Sequence, residues 1–499
     1  MVMKIPQNLP LGQILILALC RFSSTLANTG ALPYFPMLLA HVGVPSETIA
    51  FWLGFSLSMG SVVQFLTAGM WGYISDVVGR KPVIMLCQAI LMVGALMFGF
   101  STSLPMVLVS RAVVGFSSGD VGILRTSLAE KSLQMLAFSI FPLGLNIGWG
   151  FGPLIGGFTA NPYHVAPGDH HGKKLLERFP YALPNMIAAV CFVVGILFIF
   201  FGLTESLPSK EGKMDYGVAL RKKFTAWIYL MWQSLRSKSG TNVKSEDETA
   251  PLLAEAPSQA PSQLADEEEA TGGPVTVTSD PVTLRQLLNR QSVLCILLYA
   301  ILAMHSATYD PLISVLMARP AQHPPSTWPR LPFRFTGGFG SDVKEISLMF
   351  TIYGGACMFV PLLITPVLTS YFSVRQVFRT SCTTVILIYI ATPFTVLLPR
   401  PTNFIVLSIL LVLKGFINDF AFSTGSVLIQ RSCKLEMGRG RLNGLQVMGT
   451  AAARVIGPTW GGSAFVLGTK VDIVGLGFWL APTTMAILGL VPLAMLEDQ

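Results

Sequence analysis

The sequence predicts an all-α membrane protein with 12 transmembrane helices arranged as two pseudo-symmetric six-helix bundles. Of its 499 residues, 52% are hydrophobic and only 12% are charged, which excludes an ordinary soluble globule. Continuous apolar runs, each close to the roughly 20 residues that cross a bilayer as a helix, recur along the whole chain. One long polar stretch separates them into two sets, so the chain is expected to have two halves.

The bounds of the helices follow from apolar runs interrupted by charges, proline and glycine. The first six are predicted near 12–38, 48–71, 82–101, 104–127, 135–159 and 182–203. The second six are predicted near 291–317, 345–369, 375–398, 402–428, 442–466 and 473–495. The chain is therefore expected to contain an N-terminal bundle (1–205), a cytoplasmic loop (206–290) and a C-terminal bundle (291–499).

The loop between the bundles combines two kinds of sequence. Residues 237–281 are rich in Ser, Glu, Ala, Pro and Thr, which predicts a disordered linker. The basic residues 221–223 precede Phe224 and Trp227, a pattern that favours a lateral amphipathic helix on the membrane surface over a plain linker. Residues 248–253 have the form of an acidic dileucine sorting signal, although such short patterns also arise by chance.

Basic residues in the short loops predict the orientation, because positive charge is retained on the cytoplasmic side. Most fall on one side of the predicted bundle, with Arg400 and Lys470 as the exceptions on the other: Arg80, Lys81, Arg125, Lys131, Arg375, Arg379, Arg431, Lys434, Arg439 and Arg441. Both termini are therefore expected in the cytoplasm, in the cell membrane or alternatively the vacuolar membrane. This distribution accounts for the net charge of +8 without a nucleic-acid-binding patch.

A charged motif follows the second apolar run. The pattern G-x-x-x-D-x-x-G-R-K is formed by Gly72, Asp76, Gly79, Arg80 and Lys81. The glycine at position 72 is expected to let helix 2 approach its neighbour, and the aspartate to accept hydrogen bonds from basic groups. The two basic residues are expected to hold the loop at the cytoplasmic face.

A glycine-rich motif lies in helix 5 and returns in the second half. In helix 5, the pattern G-x-x-x-G-P-x-x-G-G is formed by Gly148, Gly152, Pro153, Gly156 and Gly157. Its glycines present small faces for close helix packing, and its proline frees a backbone carbonyl. Arg454, Gly457 and Pro458 repeat the pattern in helix 11, where they are expected to serve a helix interface. Because the Gly-Pro steps lie 457 minus 152, or 305, residues apart, helix 11 corresponds to helix 5.

These motifs resemble those of the major facilitator superfamily, and the helix 5 motif resembles the element of its antiporters. Arg111 and Gly115 are similar to the R-x-x-x-G element of the same superfamily. Further segments resemble its fungal drug–proton antiporter branch, which is similar to the zinc-induced-facilitator-like carriers: 19–22, 32–36, 122–126, 179–185 and 442–444. The chain departs from this branch at residues 23–25, where the branch has an acidic residue and a proline.

The resemblance implies a secondary active transporter that works by alternating access, with proton-coupled efflux of a small organic compound such as a drug, toxin or secondary metabolite. Uptake of a nutrient or metal chelate is an alternative, and a non-transporting receptor with a carrier fold is another. The resemblance also implies that helices 1, 4, 7 and 10 line a central cavity. The substrate, protons and the lipid bilayer are then the expected partners of a monomer.

The charged and polar residues of those four helices are the candidates for the substrate and proton pathway. They are Arg21, Asn28, Arg111, Asp120, His305, Tyr309, Asp310, Lys414, Asn418 and Asp419, with Tyr34 as a further possible contact. Arg21 and Asp120 have similar predicted depths and are a candidate ion pair. His305 is either a proton relay or a hydrogen-bonded packing residue. Each charged residue has a structural ion pair as its alternative role.

No catalytic or cofactor chemistry is predicted. The sequence has no phosphate-binding P-loop, so ATP is not expected to drive the protein. No metal site is expected, because His164, His170 and His171 lie together in a predicted extracytoplasmic loop without defined ligand spacing. The seven cysteines are scattered singly. Nothing resembles a nucleophile elbow, so the chain is not expected to be an enzyme.

Overall fold

The computed structural model describes residues 11–117, 124, 134–168, 173–205, 288–321, 332–358, 360–432 and 439–496. Four predictions fall outside the described residues: Asp120 with its pairing to Arg21, the lateral helix, the disordered linker and the dileucine segment. His170 and His171 also fall outside them.

The first half contains six membrane helices. They are α1 (Leu11–Ala31), α2 (Ile49–Val78), α3 (Arg80–Gly99), α4 (Leu104–Ser117), α5 (Gln134–Thr159) and α6 (Ala182–Gly202). The second half has α7 (Arg290–Ala318), α8 (Val343–Cys357), α9 (Val374–Ala391), α10 (Thr402–Ser432), α11 (Arg439–Lys470) and α12 (Leu476–Ala494). The predicted helical membrane fold is confirmed, and eight of these helices are long and apolar enough to cross a bilayer.

Three predicted helices are interrupted, and prolines lie at each interruption: the first, the eighth and the last, which has a π-helical turn at Trp479–Thr483. α1 ends at Ala31, and a separate short helix, Phe35–His41, continues the first crossing after a turn. α8 passes through a π-helical turn at Val360–Ile364 into a further helix, Thr365–Tyr371. The predicted spans 12–38 and 345–369 are therefore right in extent and wrong in continuity.

The loop predicted at 71–82 is wrong, because α2 continues to Val78 and α3 begins at Arg80. Only Gly79 separates the two helices, with φ +118°, a conformation that glycine adopts without strain. The carboxylate of Glu205, just after α6, accepts hydrogen bonds from the backbone N–H of Arg80 at 2.9 Å and Lys81 at 3.2 Å. A negative charge at a helix N-terminus is favourable, so this contact stabilises the turn between α2 and α3.

The apolar core differs between the two ends of the bundle. We call the end that carries Arg80 and Arg375 the basic face, and the other end the opposite face. Towards the opposite face, one continuous core joins Phe35 and Leu39 of the first half to Leu312 of the second. Towards the basic face, each half has its own core within the described residues. Among the described residues, the halves thus share a buried apolar core only towards the opposite face.

Candidate functional site

The helix 5 motif forms one of two close contacts between the halves. Gly157 leaves no space for a side chain beside Ser347 of α8, and the Ser347 hydroxyl donates a hydrogen bond to the Pro153 carbonyl. The carbonyl of Trp149, four residues before Pro153, lies against Gly354 of α8. Because proline has no N–H to occupy that carbonyl, this segment of α5 turns backbone oxygen towards the other half.

The helix 11 motif forms the second contact. The Pro458 carbonyl lies against Gly54 of α2, and Gly462 lies against the carbonyl of Ala50. A Cβ at Gly54 or Gly462 would collide with backbone, so both positions require the smallest residue. The repeated motif therefore has the same role in each half: it allows a helix to pack tightly on the partner half near the opposite face.

The remaining glycines of the motif pack within the first half. Gly148, Gly152 and Gly156 face α1, where a Cβ would meet atoms of Thr25, Thr29 and Gly30 respectively. The Thr29 hydroxyl also donates to the Gly148 carbonyl at 3.0 Å. α1 and α5 are therefore held at backbone contact distance.

The charged motif of α2 and α3 has the predicted contact of its aspartate with a basic residue. Asp76 accepts from Arg80 at 3.0 Å, with the Asp76 side chain 62% exposed at the basic face. Among the described residues, no atom lies within 4 Å of the position that a Cβ at Gly72 would take, so the predicted close approach of Gly72 to a neighbouring helix is not seen there.

A buried ion pair lies between α7 and α10. Lys414 Nζ is 2.6 Å from Asp310 Oδ1, and the side chains are 0% and 9% exposed. The ammonium also donates to the Tyr353 hydroxyl at 3.3 Å, and it lies 5.3 Å from the ring centroids of both Tyr309 and Tyr353. Ring faces attract cations, so two tyrosines and one carboxylate together satisfy this buried charge.

A second layer of side chains positions the tyrosines. Tyr309 stacks on Tyr389 of α9 at 4.6 Å between ring centroids, and its hydroxyl shares a 2.6 Å hydrogen bond with Thr392. His305 Nδ1 lies 2.8 Å from the Tyr389 hydroxyl. This geometry gives His305 a packing partner, as one of the two readings of the sequence proposed.

Two more polar residues follow Lys414 on α10, one turn further along the helix. Asn418 is buried and donates from Nδ2 to the Ser306 hydroxyl of α7 at 2.8 Å. Asp419 is half-buried and faces α8, where it interacts electrostatically with Tyr353 and Cys357. Its Oδ2 atom is buried and has no hydrogen-bond partner among the described residues.

The first half holds a different arrangement around Arg111. The guanidinium is buried between two rings, 3.9 Å from the centroid of Phe98 and 4.8 Å from that of Phe35. Nearby, Tyr34 stacks on Tyr181 at 5.5 Å and accepts from Asn185 Nδ2 at 2.8 Å. Within the described part of the chain, no carboxylate forms an ion pair with Arg111, so aromatic faces are its main partners.

The other candidates of the first half are not gathered into this cluster. Arg21 is half-buried on α1, and Asn28 is exposed and donates to the Ser24 carbonyl of its own helix at 3.0 Å. Ser24 and Thr25, at positions where the related branch differs, donate to carbonyls one turn back on α1. Arg454 is exposed on α11.

Replacing Arg111 by lysine is expected to lower the free energy of unfolding by about 1–2 kcal/mol, because a compact ammonium cannot stack on two rings as a planar guanidinium does. Thermal unfolding of the purified protein measures this effect. Arg178→Lys is the matched control, since Arg178 is exposed and lies 5.5 Å from the ring of Phe179. Equal melting temperatures for Arg111→Lys and the unchanged protein would contradict the stacking role.

Sequence reasoning missed the partners of the charged residues. The side chains around Lys414 and Tyr309 are completed by Tyr353 of α8, Tyr389 of α9 and Thr392 of the 3₁₀ turn that follows α9, which lie outside the four helices expected to line the cavity. Tyrosines within apolar runs were the available signal, because a buried hydroxyl needs a hydrogen-bond partner.

Two glycine-lined contacts between helical halves, with a buried ion pair beside them, define a multi-pass helical carrier. The sequence profile of the Major Facilitator Superfamily matches residues 17–319, and the chain belongs to this family of membrane transporters.

Comparison with known proteins agrees with the predicted branch. The chain is 27% identical to the "Major facilitator superfamily multidrug transporter mfsB" of Aspergillus fumigatus, over 94% of this chain and 81% of the relative. It is 23% identical to "Protein ZINC INDUCED FACILITATOR 1" of Arabidopsis thaliana, over 89% and 82%. The solved D-xylose-proton symporter shares the fold, with a TM-score of 0.62, 11% identity and 98% coverage of both chains.

Proposed function

We propose that this chain is a secondary active transporter that exports a small organic compound by alternating access and couples export to proton entry. In this proposal the basic face lies in the cytoplasm, as the positive charges of the short loops indicate. The protein works as a monomer in the cell membrane. The names of two similar proteins, efflux pump azaK of Aspergillus niger and efflux pump dotC of Dothistroma septosporum, support the export direction.

The asymmetry of the core carries this proposal. The halves share one core towards the opposite face and have separate cores towards the basic face. In this proposal the space between the halves opens towards the basic face, which is the state in which an exporter loads. The glycine contacts of α5 with α8 and of α2 with α11 are backbone contacts that can separate without unfolding either half.

The buried pair supports coupling to protons. Protonation of Asp310 removes the charge that holds Lys414 at 2.6 Å, and Lys414 is also bonded to Tyr353 of α8. Tyr353 in turn contacts Trp149 of α5 across the two halves, with 5.7 Å between ring centroids. Protonation of Asp310 therefore acts, through Lys414, on Tyr353, which belongs to the contact between α5 and α8. Asp120 and Asp419 are the other candidate carriers.

A yeast strain that lacks its own drug pumps tests the direction of transport. Cells expressing the chain are exposed to a panel of toxic apolar compounds, and the compound retained inside is measured. We expect lower accumulation and better growth, both lost in Asp310→Asn and kept in Glu345→Gln, an exposed acidic residue at the opposite face. Higher accumulation would show uptake and contradict the proposal.

A further inference from the structure

Polar contacts between α7 and α10 continue from the buried ion pair towards the basic face. Four such contacts, which we call the α7–α10 seam, follow one another in this order: Asp310–Lys414, Ser306–Asn418, Tyr299–Ser426 and Asn289–Ser432. The residue numbers fall along α7 while they rise along α10, as antiparallel helices require. The last contact joins the start of α7 to the end of α10, so the seam reaches the basic face.

The spacing on α10 places the seam on one face of that helix. Its side chains there recur at four-residue intervals: Lys414, Asn418, Phe422 and Ser426. A Cβ at Gly425 would lie 3.1 Å from the ring of Tyr299, so this ring lies directly against the backbone of α10. The Tyr299 hydroxyl then accepts a hydrogen bond from Ser426 at 3.4 Å. A row of polar groups therefore passes through an otherwise apolar contact between two helices.

The second contact of the seam has hydrogen-bonding capacity that the described residues do not use. Asn418 is 4% exposed, and its Nδ2 donates to the Ser306 hydroxyl at 2.8 Å, while its buried Oδ1 has no donor among the described residues. Thr308 and Ser314 of the same helix donate to carbonyls of α7, whereas Ser306 donates to no described residue. A buried amide oxygen beside a hydroxyl with a proton to donate is a site that a water molecule satisfies.

The distances along the seam suit a short chain of water molecules. At a rise of about 1.5 Å per residue, Ser306 lies about 6 Å from Asp310 and about 10 Å from Tyr299 along α7. Hydrogen-bonded oxygens are about 2.8 Å apart, so a few waters span each interval. The other hydrogen-bonded hydroxyls beside the ion pair, those of Tyr309 and Thr392, lead away from the basic face, because Thr392 follows the far end of α9.

We propose that the hydrated α7–α10 seam conducts the coupling proton from Asp310 to the basic face. The proposal rests on the proton coupling proposed above and names the route of the proton. The protonated Asp310 carboxyl gives its proton to a water molecule, and each following water or hydroxyl accepts one proton as it releases another. The last proton passes to the solution at the basic face, and the Asp310 carboxylate pairs again with Lys414. Asn418 is a positioning residue, because its amide orients the water at Ser306 and carries no proton itself.

The rate at which Asp310 loses its proton tests this route without any substrate. The purified protein in lipid nanodiscs is taken rapidly from acidic to alkaline pH, and the infrared band of protonated carboxyl groups is followed in time. The part of the band that is absent from Asp310→Asn belongs to Asp310. We expect Asn418→Leu and Tyr299→Phe each to slow its decay by about 100-fold, as for loss of a positioned proton-transfer group. The amplitude of the band should not change, which a purely structural effect on the ion pair would not preserve.

The matched control is Ser408→Ala, since Ser408 lies on α10 outside the seam and donates to the Phe404 carbonyl of its own helix. This variant should lose its proton as fast as the unchanged protein. An Asp310 band that decays at the normal rate in Asn418→Leu and Tyr299→Phe would overturn the route and leave proton coupling intact. No band from Asp310 at acidic pH would overturn the route together with the role of Asp310 in coupling.

Labelling by hydroxyl radicals generated from bound water tests the hydration of the seam separately. Mass spectrometry locates the modified side chains after brief irradiation of the same nanodiscs. We expect Tyr299, which is 9% exposed, to be modified, and Tyr389 of α9, which is 0% exposed and outside the seam, to stay unmodified. Equal protection of the two tyrosines would show a dry seam and contradict the proposal.

Discussion

Replacing Asp310 by asparagine is expected to cost about 3–5 kcal/mol of stability, because it leaves the Lys414 ammonium buried without its counter-charge. The double variant Asp310→Asn with Lys414→Met removes both charges and is expected to regain most of that loss. Thermal unfolding in detergent measures both values. Proton-driven export should be absent from the single and the double variant alike.

Stability and transport together show whether the Asp310–Lys414 pair only stabilises the fold or also couples transport to protons. If the pair is only structural, the double variant will transport as well as the unchanged protein. Glu345→Gln is the control for loss of an ion pair, because its partner Arg400 lies 3.2 Å away and both side chains are about half exposed. An exposed pair of this kind contributes only about 0–1 kcal/mol.

Replacing Gly462 by valine is expected to abolish transport by preventing closure at the opposite face. The new side chain collides with the Ala50 carbonyl of α2, and overpacking of this kind costs about 1–3 kcal/mol. The cost falls only on the conformation in which α2 and α11 are in contact, so its population should fall by about 5–150-fold. Spin labels at Glu47 and Lys470 would then report a longer distance.

The matched control for this prediction is Gly69→Val in the same helix as Ala50. Among the described residues, no atom lies within 4 Å of the position that a Cβ at Gly69 would take, so transport and the distance between the labels should both stay unchanged. Gly462→Val with normal transport and an unchanged distance would contradict the role assigned to the α2–α11 contact.

The fold was predictable because its signals are local. An apolar run long enough for a bilayer specifies a helix wherever it occurs, and two copies of the Gly-Pro motif reveal the repeat. The ends of helices were less predictable. Ser75 and Asp76 are polar, yet they continue α2 to Val78 because polar residues are compatible with a helix that leaves the membrane.

The charged residues of the site could be identified from the sequence, whereas the contacts between them could not. Charged residues inside apolar helices stand out because lipid penalises them, and the sequence therefore singled out Asp310 and Lys414. Their contact depends on how α7 packs on α10, which is a tertiary property. Trp149 and Ser347 were missed for the same reason, since their partners lie in the other half of the chain.

Transport by the purified protein in sealed liposomes with an imposed pH gradient tests proton-coupled export most directly. We expect the compound to move against its concentration gradient in the direction opposite to the protons, and a protonophore or Asp310→Asn to stop this movement. Movement in the same direction as the protons, or at a rate independent of the pH gradient, would contradict proton-coupled export.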